Sequence, residues 1–167
     1  LCDESSIRFG IRTVELVRTS TTDIDGSGEF VFKVNGKKIF CMGTNWVPVD
    51  ALHSRDAERL PEILPMLTDI NCNIIRLWGG NVYEDHAFFD FCDRNGIMVW
   101  QDFMIACINV WLTTNMKKEF IAEAEYNVKR LRNHPSLALL CGNNEMEEGV
   151  CYWGGVGTSA LVKEDYL

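Results

Sequence analysis

The strongest constraint on this 167-residue chain is a fourfold alternation of short apolar runs with helix-patterned stretches. The runs begin near residues 39, 73, 97 and 137: Ile39 to Gly43, Asn73 to Trp78, Ile97 to Trp100 and Leu137 to Cys141. Between them, Leu60, Leu64, Leu67 and Ile70 recur at helical spacing, as do Phe88, Phe89 and Cys92, and then Ile121, Ala124, Val128 and Leu131. Pro61 suits a first helical turn, and Pro65 should kink or delay that helix. Asp85 and Asn115 stand where helix caps belong, Asn95-Gly96 where a helix ends, and Pro135 where the last helix must stop. Apolar strands alternating with helices predict a parallel sheet covered on its faces, an α/β fold. A (β/α)8 barrel takes about 250 residues, and the part of the chain from Ile39 onward is roughly half of that. Four βα units in half the length predict the first half of a TIM barrel. A doubly wound sheet is the competing architecture, but no GxGxxG follows a strand, and GxxxxGK[ST] does not occur.

Upstream of this pattern the chain reads differently. Phe9 to Val17 has strand character and leads into a polar loop over Thr19 to Glu29. Phe30 to Val34 and Lys37 to Phe40 flank Asn35-Gly36, a strong hairpin signal because both turn residues tolerate positive φ. Residue 1 is Leu, no charged-then-apolar leader follows it, and Val162 to Leu167 read like the opening of a helix. We expect a piece of a longer polypeptide, and the sequence points to no compartment.

Composition removes several functions. A net charge of −8 and a pI near 4.9 argue against non-specific nucleic-acid binding. No run of eighteen apolar residues is present to span a membrane as a helix. Seven cysteines contain no CxxC pair, and Cys41, Cys72, Cys92 and Cys141 lie in apolar runs where buried free thiols are expected. His53, His86 and His134 lack metal-ligand spacing, so no metal and no cofactor is expected. There is no GxSxG nucleophile elbow.

In a βα barrel the active site gathers at the C-terminal ends of the strands. Thr44-Asn45-Trp46 and Asp50 stand after the first run. Arg76-Leu77-Trp78-Gly79-Gly80-Asn81, then Tyr83-Glu84, end the second, and Trp100-Gln101-Asp102-Phe103 the third. Gly142-Asn143-Asn144-Glu145 end the fourth, with Glu147, Glu148 and Trp153 beyond. All five tryptophans fall at or just past these ends, among Arg, Asn, Asp and Glu. Indole faces stack on the C–H faces of sugars while amides and carboxylates bond their hydroxyls, so the lining fits a carbohydrate. The acidic cluster also reads as a solvated loop, but Glu145 directly follows an apolar strand and sits beside Asn144.

Four motifs in order carry a resemblance. They are Arg76-Leu77-Trp78-Gly79-Gly80 with Tyr83-Glu84; Trp100-Gln101-Asp102-Phe103-Met104 with Ala106-Cys107; His134-Pro135-Ser136; and Cys141-Gly142-Asn143-Asn144-Glu145. Together they resemble the family 2 glycoside hydrolases, most of all the β-mannosidase branch. Phe9 to Glu15 resembles the end of that family's immunoglobulin-like domain, just before its catalytic barrel. The resemblance implies residues 1–37 as the edge of a β-sandwich with its hairpin linker, and residues 38–167 as the first half of the barrel.

It also implies retaining hydrolysis of terminal β-D-mannosides by double displacement. Glu145 matches the general acid/base and Asn144 the residue that bonds the sugar 2-hydroxyl. Arg76, Trp78, Asp102 and Trp46 match positions lining the subsite. The nucleophile glutamate would lie on a late strand beyond Leu167, so the remainder of the same polypeptide is needed to close the barrel. β-Glucuronidase or β-galactosidase activity, or a non-catalytic carbohydrate-binding protein, are the alternatives. Asn81 replaces an expected third glycine, and Ile108-Asn109-Val110-Trp111 departs from the loop expected after the third strand.

Overall fold

The computed structural model describes residues 2–19, 28–107 and 113–152. Expectations that fall on Trp111, Trp153, the 108–111 loop and the helix start at 162–167 lie outside the described residues, as does the side chain of Glu147.

A three-stranded antiparallel sheet comes first, built of β1 (Val14–Arg18), β2 (Phe30–Val34) and β3 (Lys37–Ile39). Asn35 and Gly36 turn the hairpin with φ of 50° and 76°, both in the left-handed region. The first strand is shorter than the sequence pattern predicts. Residues 9–13 stay outside it, with Phe9 and Ile11 exposed. Arg12 turns its guanidinium away instead, donating to the Pro135 and Leu137 carbonyls at 2.9 and 2.6 Å.

Four parallel strands follow: β4 (Gly43–Trp46), β5 (Ile74–Leu77), β6 (Met98–Asp102) and β7 (Leu137–Cys141). They pair in chain order, β4-β5-β6-β7. Each new strand adds at the same edge with no reversal of order, which a doubly wound sheet would require at its switch point. The fold is therefore mixed α/β with a parallel sheet. The first of these strands lies later than expected. Ile39 is consumed by the hairpin, and Asn73 holds the intervening backbone through its side chain, accepting from Met42 N and donating to Phe40 O, both at 2.8 Å. Pairing then starts at Gly43 opposite Ile74. A Cβ at Gly43 would lie 1.9 Å from the Ile74 carbonyl oxygen, so only glycine allows this approach.

The helices are α1 (Asp56–Asp69), α2 (His86–Asn95), α3 (Thr114–Leu131) and the short α4 (Met146–Tyr152). Pro61 and Pro65 lie inside α1, beyond its first turn. They share an exposed stripe with Ala57, so the carbonyls they leave without an N–H partner lie on the water side. Asp85 is the N-cap of α2 but makes no side-chain cap bond, and Gly96 closes the helix at φ 67°. The cap of α3 is Thr113, not Asn115: its hydroxyl accepts from Met116 N at 3.2 Å. Of the expected α3 face, Leu131 is buried and Ile121 is exposed, while Ile70 lies past the end of α1 and is also exposed.

Leu60, Leu64 and Leu67 of α1 and Phe88, Phe89 and Cys92 of α2 close the core over Ile75, Leu77 and Val99. Each such side chain is worth about 1.5–3 kcal/mol when fully buried. Cys72 and Cys92 are buried free thiols; Cys41, expected inside, is exposed and Cys141 only half-buried. Among the described residues no helix is long and apolar enough to cross a membrane.

Candidate active site

Period-two alternation sends Leu77 to the helix-covered face of the sheet and Arg76 to the opposite face. Register then aligns Arg76 with Asn45 on one side and with Trp100 on the other. The Arg76 guanidinium lies over the Trp100 ring, 5.4 Å from its centroid. Here also Phe30 of the hairpin meets Trp100, ring centroids 6.1 Å apart. The cleft between the two sheets has a volume of about 410 Å³ and is lined by Phe30, Phe32, Asn45, Ile74, Arg76 and Trp100 among others.

Asp102, the last residue of β6, has no solvent exposure. Its Oδ1 accepts from Arg76 Nε at 3.2 Å and Trp100 Nε1 at 2.9 Å. Its Oδ2 accepts from Arg76 Nη2 at 2.6 Å and the Gly79 N–H at 3.1 Å. Four donors fill the roughly four acceptor positions of a carboxylate. Gly79 can donate because it has no side chain: a Cβ there would stand 2.8 Å from the Phe103 carbonyl oxygen.

Arg76 Nη2 also donates to Asn144 Oδ1 at 2.7 Å. One guanidinium thus joins residues at the C-terminal ends of three successive strands. Because arginine only donates, this bond fixes which end of the Asn144 amide is oxygen. The Asn144 amide nitrogen donates to Cys107 Sγ at 3.3 Å. Asn144 is buried, whereas its neighbour Glu145 is exposed. Asn143 Oδ1 accepts from Met146 N at 3.2 Å and so caps the start of α4 directly after Glu145.

No family model matches the chain. It is 45% identical over 141 residues to β-mannosidase B of Neosartorya fischeri, a match covering 84% of this chain and 16% of that protein. It is 40% identical over 145 residues to the β-mannosidase of Capra hircus, with 86% and 16% covered. The β-D-mannosidase structure from Dictyoglomus thermophilum superposes with a TM-score of 0.83 at 41% identity, covering 93% of this chain and 19% of that one. The chain is similar to one segment of β-mannosidases. A β-glucuronidase from Parabacteroides merdae shares the fold, with a TM-score of 0.72 at 22% identity over 92% of this chain and 17% of its own. The present chain spans about 16% of the length of the curated relatives it matches.

Of the residues matched to the β-mannosidase pattern, the structure brings Arg76, Asp102 and Asn144 into one hydrogen-bonded group, with Glu145 next to it. Trp78 follows β5, half-buried. Trp46 lies elsewhere, on the helix-covered face. Its indole is 6% exposed, packs on Phe88 at 5.1 Å between centroids and donates Nε1–H to Glu84 at 2.8 Å. Trp100 likewise spends its N–H on Asp102. Of the five tryptophans expected on one rim, Trp46 is therefore core, and Trp100 stands inside the sheet's open face.

Two residues of the first motif are more deeply engaged in the fold than the sequence pattern indicates. Glu84 is buried, its carboxylate beneath Trp46 and its carbonyl accepting from both terminal nitrogens of Arg130 at 3.0 Å. Burial raises its pKa above the ordinary 4.5, while the Trp46 N–H pulls the other way. Tyr83, whose hydroxyl accepts from Met104 N at 3.4 Å, has its pKa pushed up to about 12, chiefly by burial. Only membership of the Tyr83-Glu84 motif marks these positions in the sequence.

The histidines need a correction. No carboxylate stands at ligand spacing from them in the sequence, but folding brings Asp93 Oδ2 to 2.6 Å from His134 Nδ1, and His134 Nε2 to 2.8 Å from His86 Nδ1. Asp90, Asp93 and His134 offer donor atoms within 4.8 Å of one another. Asp93 is already engaged twice, since its Oδ1 accepts from Ser136 N at 2.8 Å. The cluster ties α2 to the turn before β7, at the end of the sheet away from Glu145.

Proposed function

We propose that this segment belongs to a retaining exo-glycosidase that hydrolyses terminal β-D-mannosides, with Glu145 as general acid/base. The observation that carries this reading is the position of Asn144-Glu145. The pair stands at the C-terminal end of the fourth parallel strand, with Asn144 clamped by Arg76, in a segment 40–45% identical to proteins named β-mannosidase. The architecture we infer is the first half of a (β/α)8 barrel from residue 38 onward. Residues 1–37 are the edge and linker of an immunoglobulin-like sandwich. Chain-order parallel pairing supports the barrel arc, and the antiparallel hairpin sheet supports the sandwich edge.

Retaining hydrolysis uses two carboxyl groups about 5–5.5 Å apart, one donating the proton and one attacking the sugar. Asp102 is a poor candidate for the attack because all its acceptor positions are occupied by protein donors. It serves instead to hold Arg76 flat, and Arg76 holds Asn144. Asn144 then has one amide N–H left over for the 2-hydroxyl of the sugar. Trp78 offers a stacking face; the lining role of Trp46 rests on the resemblance alone. The nucleophile belongs to a later strand, which the remainder of the polypeptide supplies when it closes the barrel.

In the complete protein, kcat/KM for an aryl β-mannoside should exceed that for the matched galactoside, glucoside and glucuronide. An equal or higher value on the glucuronide overturns the substrate assignment. Glu145→Ala should cost about 10²–10⁴-fold on substrates with poor leaving groups, which need proton donation. With a good leaving group, azide should restore turnover and yield a β-mannosyl azide. An unchanged rate on a natural disaccharide removes Glu145 from the mechanism.

A further inference from the structure

We propose that Cys107 is a positioning residue whose thiol donates to Glu145 while its sulfur accepts from Asn144, so that the proton donor and the sugar-reading amide are held as one unit. The inference rests on the assignment of Glu145 as acid/base.

Three observations carry it. Cys107 Sγ lies 3.5 Å from Glu145 Oε2 and 3.3 Å from Asn144 Nδ2, both within reach of a sulfur hydrogen bond. The loops that follow β6 and β7 are zipped together at this point. Ala106 and Asn144 form a parallel bridge, with Cys107 N donating to Asn144 O at 3.1 Å and Asn144 N to Ile105 O at 2.9 Å. Lastly, Cys107 and Glu145 both have left-handed backbones, φ 54° and 58°. That conformation is costly for a non-glycine residue and persists only where the surroundings impose it. Two such residues, 38 positions apart, meet through their side chains.

The chemistry suits a donor rather than a nucleophile. Loss of solvent and the neighbouring Glu145 carboxylate both raise the Cys107 pKa, so the thiol keeps its proton. Other charged groups on the surrounding elements include Arg76 of β5, Asp102 of β6 and Glu148 of α4. Tyr83 adds a titratable hydroxyl from the loop after β5. Arg76 and Asp102 reach the pair through Asn144.

In the complete enzyme, Cys107→Ala should lower kcat/KM several-fold on an aryl β-mannoside with a poor leaving group, which needs proton donation, and far less on one with a good leaving group. Cys107→Ser, which keeps a donor, should restore most of that loss. Cys107 is exposed, so neither variant opens a core cavity. No loss in Cys107→Ala, an equal loss on both leaving groups, or a loss that Cys107→Ser does not restore overturns the proposal. Glu145→Ala separates the two failures. If it abolishes turnover on the poor leaving group, with azide rescue on the good one, while both Cys107 variants match the natural protein, only the positioning role falls. If it leaves turnover intact, the acid/base assignment falls first.

Discussion

Asp102 shows how a single side chain is committed by its neighbours. With two guanidinium nitrogens, an indole and a backbone amide around it, its carboxylate has no capacity left for a ligand. Glu84 is the contrasting case, a buried carboxyl whose resolved protein donor is one indole N–H. Its folded pKa lies above the unfolded value near 4.5, because burial penalises the charge. The folded protein therefore holds that proton more tightly than the unfolded chain does. The stability this contributes is complete below the unfolded pKa and declines as pH rises from there through the folded pKa. Glu84→Gln keeps an oxygen for Trp46 and removes the charge. Thermal unfolding of the complete protein from about pH 4.5 to about 7.5 should show the natural protein losing stability relative to this variant. A constant difference across that range would mean that Glu84 does not titrate on folding. None of this is legible in the residue string, where Glu84 is one acid among 24 Asp and Glu.

At the scale of elements, the helices show what local pattern captures and where it stops. The spacing of Leu60, Leu64 and Leu67 announces α1, yet two prolines inside it argue for a break. The apolar stripe prevails because both prolines fall on the exposed side, where a freed carbonyl is open to water. The start of α3 is decided by one hydroxyl. Thr113→Ala should cost about 1 kcal/mol of stability, the usual worth of an N-cap, whereas Asn115→Ala should be close to neutral. Denaturant melts of the two variants test this directly; equal losses would move the cap. Both residues are good caps by type, so the sequence alone could not choose between them. The later start of β4 has a similar origin. Asn73, 31 residues beyond Met42, pins the preceding backbone, and Gly43 is required where the strand meets Ile74.

At the scale of the whole molecule, Arg12 ties the residues before β1 to the start of β7, more than 120 positions away. The parallel sheet ends at β4 on one side and β7 on the other, and Ile121 and Leu140 stay exposed on its flanks. Unpaired strand edges and exposed apolar side chains recruit other chains. Residues 1–167 produced alone should therefore associate, seen as a large and concentration-dependent size in light scattering. They should not turn over an aryl β-mannoside, because on the proposed reading the attacking carboxylate belongs to a later strand. A compact monomer with activity would show that both the barrel arc and the division of the site are misjudged.

The residue string carries the alternation of strands and helices up to β7, the hairpin turn, the parallel α/β class and the motif positions of Arg76, Asp102, Asn144 and Glu145, but not α4, whose acids read as a loop. Each of these is written in local periodicity, turn chemistry or a short ordered string of residues. That Trp46 is core while Arg76 faces the open side, that Asp102 is saturated and that Cys107 meets Glu145 follow from the packed fold alone. Those outcomes depend on strand register and on the close approach of segments 26 to 68 residues apart. A one-residue slip in register would send Trp46, Arg76 and Asp102 to the opposite face.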